Sequence, residues 1–200
     1  MSNNRPEEGE PPAEDGRRLR SERNRQKIVE AMLELVHEGN YDPSVAQIAE
    51  RAKVGLRTVF RHFDDVDSLY REIATRMEAR ILPEVGKPLN AEAWPDRVKE
   101  LLARRSRVFD EIMPVRICAR VRRFRSEFLL EQHKRFVAQE TAGLALALPP
   151  EVLENESLRM AFDVALSFDT WRRLRLDQSL SRAKAMSALD TILDALIASA

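Results

Sequence analysis

The chain has 200 residues, 44% of them hydrophobic, enough for one large domain or for a small domain joined to a medium one. Lys+Arg and Asp+Glu both number 33, so no global basic excess exists and any contact with a polyanion has to come from a local patch. The single cysteine, Cys118, excludes an intramolecular disulfide framework; with no apolar signal core and no run of ~18 apolar residues, the expectation is a cytoplasmic protein with no membrane partner.

Residues 1–16 hold three prolines, two glycines and many carboxylates. They offer too little apolar surface to repay ordering, so an acidic disordered tail is expected there. A basic run follows, with Arg17, Arg18, Arg20, Arg23, Arg25 and Lys27 leading into a first helix over 18–37. In that helix Ile28, Met32, Leu35 and Val36 recur at three- and four-residue steps, and Gly39 suits the left-handed position that ends a helix.

The next stretch, PSVAQIAERAKVGLRTVFRHF, covers 43–63. Ser44 is a good N-cap for a helix over 44–51, whose apolar face is Val45, Ile48 and Ala49. Ala52, Lys53 and Val54 make a tight connection to a second short helix over 55–61, with Leu56, Val59 and Phe60 expected inward. Two short helices this close cross steeply, and Ala49 is the small residue at the crossing. The second helix then turns Arg57, Thr58, Arg61 and His62 outward, toward base edges and phosphates of double-stranded DNA. Arg57 suits a bidentate contact to guanine, Thr58 a thymine methyl or a phosphate, and the Ser44 helix start a phosphate. The alternative is a plain helical hairpin with a solvated polar face.

After this point the helical period continues almost without a break, and strand-like alternation is missing. Helices are expected over 65–82, 95–111, 115–124, 126–147, 156–175 and 181–198, separated by prolines such as Pro83, Pro95, Pro114 and Pro149–Pro150. No internal repeat occurs. The three histidines are far apart, and there is no HExxH, no GxSxG and no phosphate-cradling glycine loop, so no enzyme and no cofactor are expected.

The segments RQKIVEAMLELVHEGNYD (25–42), SVAQIAERAKVGLRTVFRHF (44–63) and DDVDSLYREI (64–73) resemble the tetracycline-repressor (TetR) family of bacterial transcription regulators, above all in IAERA and TVFRHF. The resemblance implies an all-α protein: a helix-turn-helix DNA-binding domain over 17–64 and a helical ligand-binding and dimerisation domain over 65–200. It implies a repressor that a small-molecule effector releases from a palindromic operator. The duplex-contacting set would be Arg17, Arg18, Arg20, Ser44, Lys53, Gly55, Arg57, Thr58, Phe60, Arg61 and His62, with Phe60 packed at the domain core. Four positions depart from the family pattern. Lys53 stands where glycine is common in the turn, Gly55 where serine caps the reading helix, Val66 where lysine opens the fourth helix, and Ala46 where a basic residue is frequent. Arg51, Lys53 and the upstream arginines are expected to offset the lost contacts, whereas Asp64, Asp65 and Asp67 would repel phosphates. These departures keep a second reading open, a protein-interaction module with weakened DNA binding.

In the C-terminal part, 167–181 looks like a recurrent feature of some family members. The resemblance implies a homodimer through the last two long helices, by way of Phe168, Trp171, Met186, Leu189, Leu193 and Leu196, although these stripes equally fit intramolecular core. Candidate effector contacts are Trp94, Phe109, Met113, Cys118, Phe124, Phe128, Phe136 and Phe162, each also readable as simple packing. His133 reads first as a satisfied core histidine and second as a ligand contact. Arg116, Arg120 and Arg123 share one stripe over 115–124. They fit a solvated face paired with Glu127 and Glu131, or a contact, Arg120 first, to an anionic effector such as a carboxylate or acyl-thioester.

Overall fold

A computed structural model describes residues 13–200. It is all-helical, with no strand among the described residues. Most of the expected tail, 1–12, lies outside the described residues, and its last four residues already belong to the first helix, α1 (Ala13–His37). The chain divides into two compact units, one ending at Leu69 and the other spanning Tyr70–Ala200.

The first unit packs α1 against α2 (Val45–Arg51) and α3 (Leu56–His62). Ile28, Val29, Met32 and Val36 of α1 are buried, as are Ile48 and Ala49 of α2 and Val59 of α3. The end of α1 is closed at Gly39 (φ 92°), where Gly39 and Asn40 donate backward to the carbonyls of Val36 and Leu35. The end of α2 is closed in the same way by a lysine. Lys53 has φ 54°, its N–H bonds to Glu50 O at 3.0 Å, and Val54 N–H bonds to Ala49 O at 3.0 Å. Arg25 ties α1 to the far end of α3, donating to His62 O at 3.0 Å with its guanidinium 4.6 Å from the Phe63 ring centroid.

The fourth helix, α4 (Val66–Val85), starts in the first unit and continues into the second. Asp65 caps it, accepting from Ser68 N–H at 2.7 Å. The second unit is centred on α5 (Trp94–Arg122), a single 29-residue helix where two were expected. Pro114 removes one backbone bond, but Ile112 and Cys118 are buried on either side of it, and packing of both flanking turns holds the helix together. Pro83 likewise lies inside α4 rather than ending it.

A 3-10 turn (Arg123–Arg125) leads to α6 (Glu127–Ala145), capped by Ser126, and a short α7 (Pro150–Glu154) that the sequence reading lacked. The expected helix over 156–175 is broken into α8 (Glu156–Ala165) and α9 (Phe168–Arg172), because Ser167 turns its hydroxyl to cap α9 at Thr170 N–H. A π turn over Arg173–Asp177 follows, its wide loop held by Arg175, which reaches Asp110 at 3.1 Å and Leu180 O at 2.5 Å. The last helix is α10 (Arg182–Ala198), packed on α5 and α8. No helix among the described residues is long and apolar enough to cross a membrane.

Candidate nucleic-acid interface and small-molecule cavity

The first unit presents α3 by a single buried anchor, Val59. Arg57 and Arg61 are exposed on the opposite side, with Thr58 and His62 half-buried between. Leu56 and Phe60, expected inward, are instead 48% and 51% exposed. A seven-residue helix resting on one core residue has room for only one inward position per turn, so the i and i+4 partners at its edges stay in solvent. His62 departs from its expected role as well. Its Nε2 is buried without a partner, and burial together with Arg61 and Arg25 holds its pKa below the usual histidine range.

Ser44 forms a reciprocal cap on α2. Its Oγ accepts from Gln47 N–H, while its own N–H donates to Gln47 Oε1 at 2.9 Å. Gly55 starts α3 with extended backbone and no side-chain cap. Arg17, Arg18 and Arg20 lie exposed within the first turns of α1, and Arg20 donates to Gly16 O. Lys53 is exposed, but Arg51 is committed to α1, paired to Glu38 at 2.7 Å and to Glu34 at 3.3 Å. Arg51 therefore does not stand in for the missing basic contacts.

The second unit contains a cavity of about 620 Å³ between α4, α5 and α6, lined by Ile81, Leu89, Leu101, Val108, Phe109 and Phe136 among others. Its polar wall is built from Arg104 and Arg105, both buried. Arg104 clamps the α4–α5 connection through the carbonyls of Lys87 and Pro88. Arg105 donates to Leu166 O at 2.9 Å and to Glu140 O, and Gly143 leaves the room that its guanidinium occupies. Glu140 closes the same wall. Its Oε1 accepts from Phe168 N–H at 2.7 Å, and burial pushes its pKa up to about 7.

Two smaller chambers adjoin this cavity at Phe136. One, of about 110 Å³, is mostly apolar and includes Tyr70, Met77, Ile112 and Phe128; the other, of about 180 Å³, is polar and includes Arg116, Arg120, Arg123 and His133.

Of the expected effector contacts, Phe109, Arg120, Phe128, His133 and Phe136 line these chambers. Trp94 and Phe162 instead meet edge to face at 6.1 Å, and line none of the three. Met113 also lines none, and Phe124 is 78% exposed outside all of them. Cys118 is fully buried with its Sγ 2.8 Å from Tyr70 Oη, so it is a packing residue beside the chambers. His133 is not an apolar core histidine; it sits between the guanidinium groups of Arg116 and Arg123. Arg120 pairs with Asp169, and Glu131 with Lys134, so the expected pairing of the arginine stripe with Glu131 does not form. Missed from the sequence were Glu140, Arg104 and Arg105. Charged residues on otherwise apolar helix faces were the available signal.

Of the expected dimer contacts, Phe168, Trp171, Leu189 and Leu193 are buried in the core of the chain itself, among α5, α8 and α10. Trp171 is fixed there by its Nε1–H to Asp110 at 2.9 Å. Met186 and Leu196 are half-buried. The large apolar groups that α8 and α10 leave in solvent are Met160 and Val164 of α8, at 50% and 65% exposure, and Ile192 of α10, at 44%.

No protein-family model matches the chain, and no curated protein sequence does either. Among solved structures, the chain is similar to a transcriptional regulator from Rhodococcus sp. Rha1. The two share 16% identity over 90% of this chain and 96% of that one, with a TM-score of 0.65. At that identity the likeness establishes a shared all-helical fold, running nearly the full length of both chains.

Proposed function

We propose that the chain is a homodimeric transcription regulator of the TetR type, a cytoplasmic repressor released from a palindromic operator by a small-molecule effector. The observation that carries this reading is the presentation of α3. One buried residue, Val59, anchors it, and Arg57 and Arg61 project from its free side. A helix so mounted fits the major groove, where an arginine fork matches the two acceptors of guanine. Ser44, at the start of α2, supplies the helix N-terminus suited to a phosphate, and Arg17, Arg18, Arg20 and Lys53 supply further exposed positive charge. The shared fold with a protein described as a transcriptional regulator supports the same reading.

The effector belongs in the 620 Å³ cavity, which has the size and the apolar lining of a small-molecule site. Ile81 of α4 lines that cavity, and α4 begins in the unit that reads DNA. A ligand that prefers one position of α4 therefore shifts the reading unit by its differential affinity, typically ~1–3 kcal/mol of coupling. The dimer face draws on the exposed apolar groups of α8 and α10, Met160, Val164 and Ile192, in place of Phe168, Trp171, Leu189 and Leu193, which are buried. A palindromic operator presents its half-sites about 34–36 Å apart, and the two-fold symmetry of an isologous dimer matches it.

A second reading is supported by Leu56 and Phe60, two exposed apolar side chains beside Arg57 on α3. They suit a protein partner as well as thymine methyl groups. Selection of bound sequences from a random duplex pool separates the two. The regulator reading expects an enriched inverted repeat with half-sites about 10 base pairs apart, or a multiple of that. It also expects Arg57→Ala to cost about 1–3 kcal/mol and relax the preference at one position of each half-site. A pool that yields no enriched sequence leaves the interaction module.

A further inference from the structure

Arg116 and Arg123 close on one imidazole from both sides. Arg116 Nη2 lies 3.2 Å from His133 Nδ1, and Arg123 Nη1 lies 2.9 Å from His133 Nε2. A guanidinium only donates, and a neutral imidazole has one acceptor nitrogen. Whichever tautomer His133 adopts, one of the two contacts sets a donor against a donor. Protonation worsens this, and burial with the two arginines already holds the His133 pKa below its usual value. The Nε atoms of both arginines are buried and have no hydrogen-bond partner. The end of the chamber is thus rich in donors and short of an acceptor.

The carboxylates nearby do not fill that gap. Asp169 pairs with Arg120 and Arg172, and Asp163 accepts from Thr141 at 3.2 Å. Glu140 has one oxygen on Phe168 N–H and carries only part of a charge near neutral pH. Arg116 stays cationic there, its pKa lowered by burial only to about 10, with its guanidinium 3.8 Å from the Phe136 centroid. Phe136 and Leu129 line both this polar chamber and the apolar one beside it, and Ile81 and Phe136 line both that apolar chamber and the large cavity, so the three lie side by side around Phe136.

We infer that the polar chamber takes the carboxylate of an amphipathic monocarboxylic acid whose apolar body runs past Phe136 toward α4. Two carboxylate oxygens supply the acceptors that Arg116 and Arg123 lack, in the planar geometry a guanidinium matches best. A single charge suffices. Asp169, Asp163 and Glu140 line the same chamber and oppose a phosphate dianion. The assignment rests on the effector-cavity reading above and gives that effector a chemical class.

The test is calorimetric titration of the full-length protein with two acid–alcohol pairs, octanoate with 1-octanol and 2-naphthoate with 2-naphthalenemethanol, and with octyl phosphate. At least one acid is expected to bind about tenfold or more tighter than its alcohol, the scale of a charge-assisted hydrogen bond. Arg123→Gln should remove that preference and leave the alcohol's affinity within about twofold. Arg116→Gln should do the same, and Arg116→Lys should restore part of it. If Arg116→Gln does not fold, the wild-type comparison and the half-buried Arg123 still decide the matter. Equal binding of acid and alcohol in both pairs, a preference that survives Arg123→Gln, or tighter binding of octyl phosphate than of octanoate would each overturn the assignment. Duplex binding measured on the same preparation separates the two claims. A protein that binds a selected duplex without preferring acids loses this inference alone, and one that prefers acids but ignores duplex at low salt loses the regulator reading alone.

Discussion

Lys53 holds φ 54° at the end of α2, a conformation that costs a side-chain-bearing residue about 1–2 kcal/mol. Lys53→Gly should therefore raise unfolding free energy by roughly 1 kcal/mol in denaturant titration, at the expense of one exposed charge. Gly55→Ser should add a few tenths of a kcal/mol by capping α3, since a Cβ there meets only Thr58 Oγ1 at 3.9 Å. Both turn residues were legible in the sequence through the family resemblance, which marks position 53 as a turn and position 55 as a helix cap. Phe60 and His133 were not. Their surroundings depend on how many neighbours the fold brings, and residue type does not encode that.

Glu140 gives a pH signature at this same scale. Its pKa rises from 4.5 in the unfolded chain to about 7 in the fold, so the folded state holds the extra proton between those values. Stability from this group is full below about pH 4.5 and falls as pH rises through 7, by about 3 kcal/mol at most. The expected result is a melting temperature that declines from pH 5 to pH 8 in the wild type and declines less in Glu140→Gln.

At the scale of elements, the sequence located all the long helices by their period but misjudged where some end. Pro114 reads locally as a break, yet burial of Ile112 and Cys118 carries α5 through it. Ser167 reads as an ordinary helical residue, yet it caps α9 and ends the expected long helix. The same limit applies to the apolar stripes of the last helices. An α-helix with apolar groups on more than one face does not say which face meets its own core and which a partner. Leu193 faces the core, so Leu193→Ala should cost about 2–5 kcal/mol of stability. Val164 and Ile192 face solvent, so Val164→Glu or Ile192→Glu should convert a dimer to monomer in sedimentation velocity with little change in melting temperature. A monomeric wild type, or a dimer untouched by either change, would remove this face from the account.

For the whole molecule, zero formal charge is compatible with the proposed duplex-reading face because that face needs only a local set of exposed cations, Arg17, Arg18 and Arg20 on α1 and Arg57 and Arg61 on α3. The division into a short N-terminal unit and a large C-terminal one was legible only through the family resemblance, because the helical period runs on past residue 65. The cavities were not, because they arise where helices distant in sequence fail to fill the space between them. The most direct measurement of the central claim is anisotropy of a selected duplex across about 50–200 mM salt, with wild type and Arg57→Ala side by side. Two protomers per duplex are expected, with affinity falling steeply as salt rises and sequence preference weakened in the variant. Binding absent at the lowest salt, or present but indifferent to sequence, to salt and to Arg57, would contradict it.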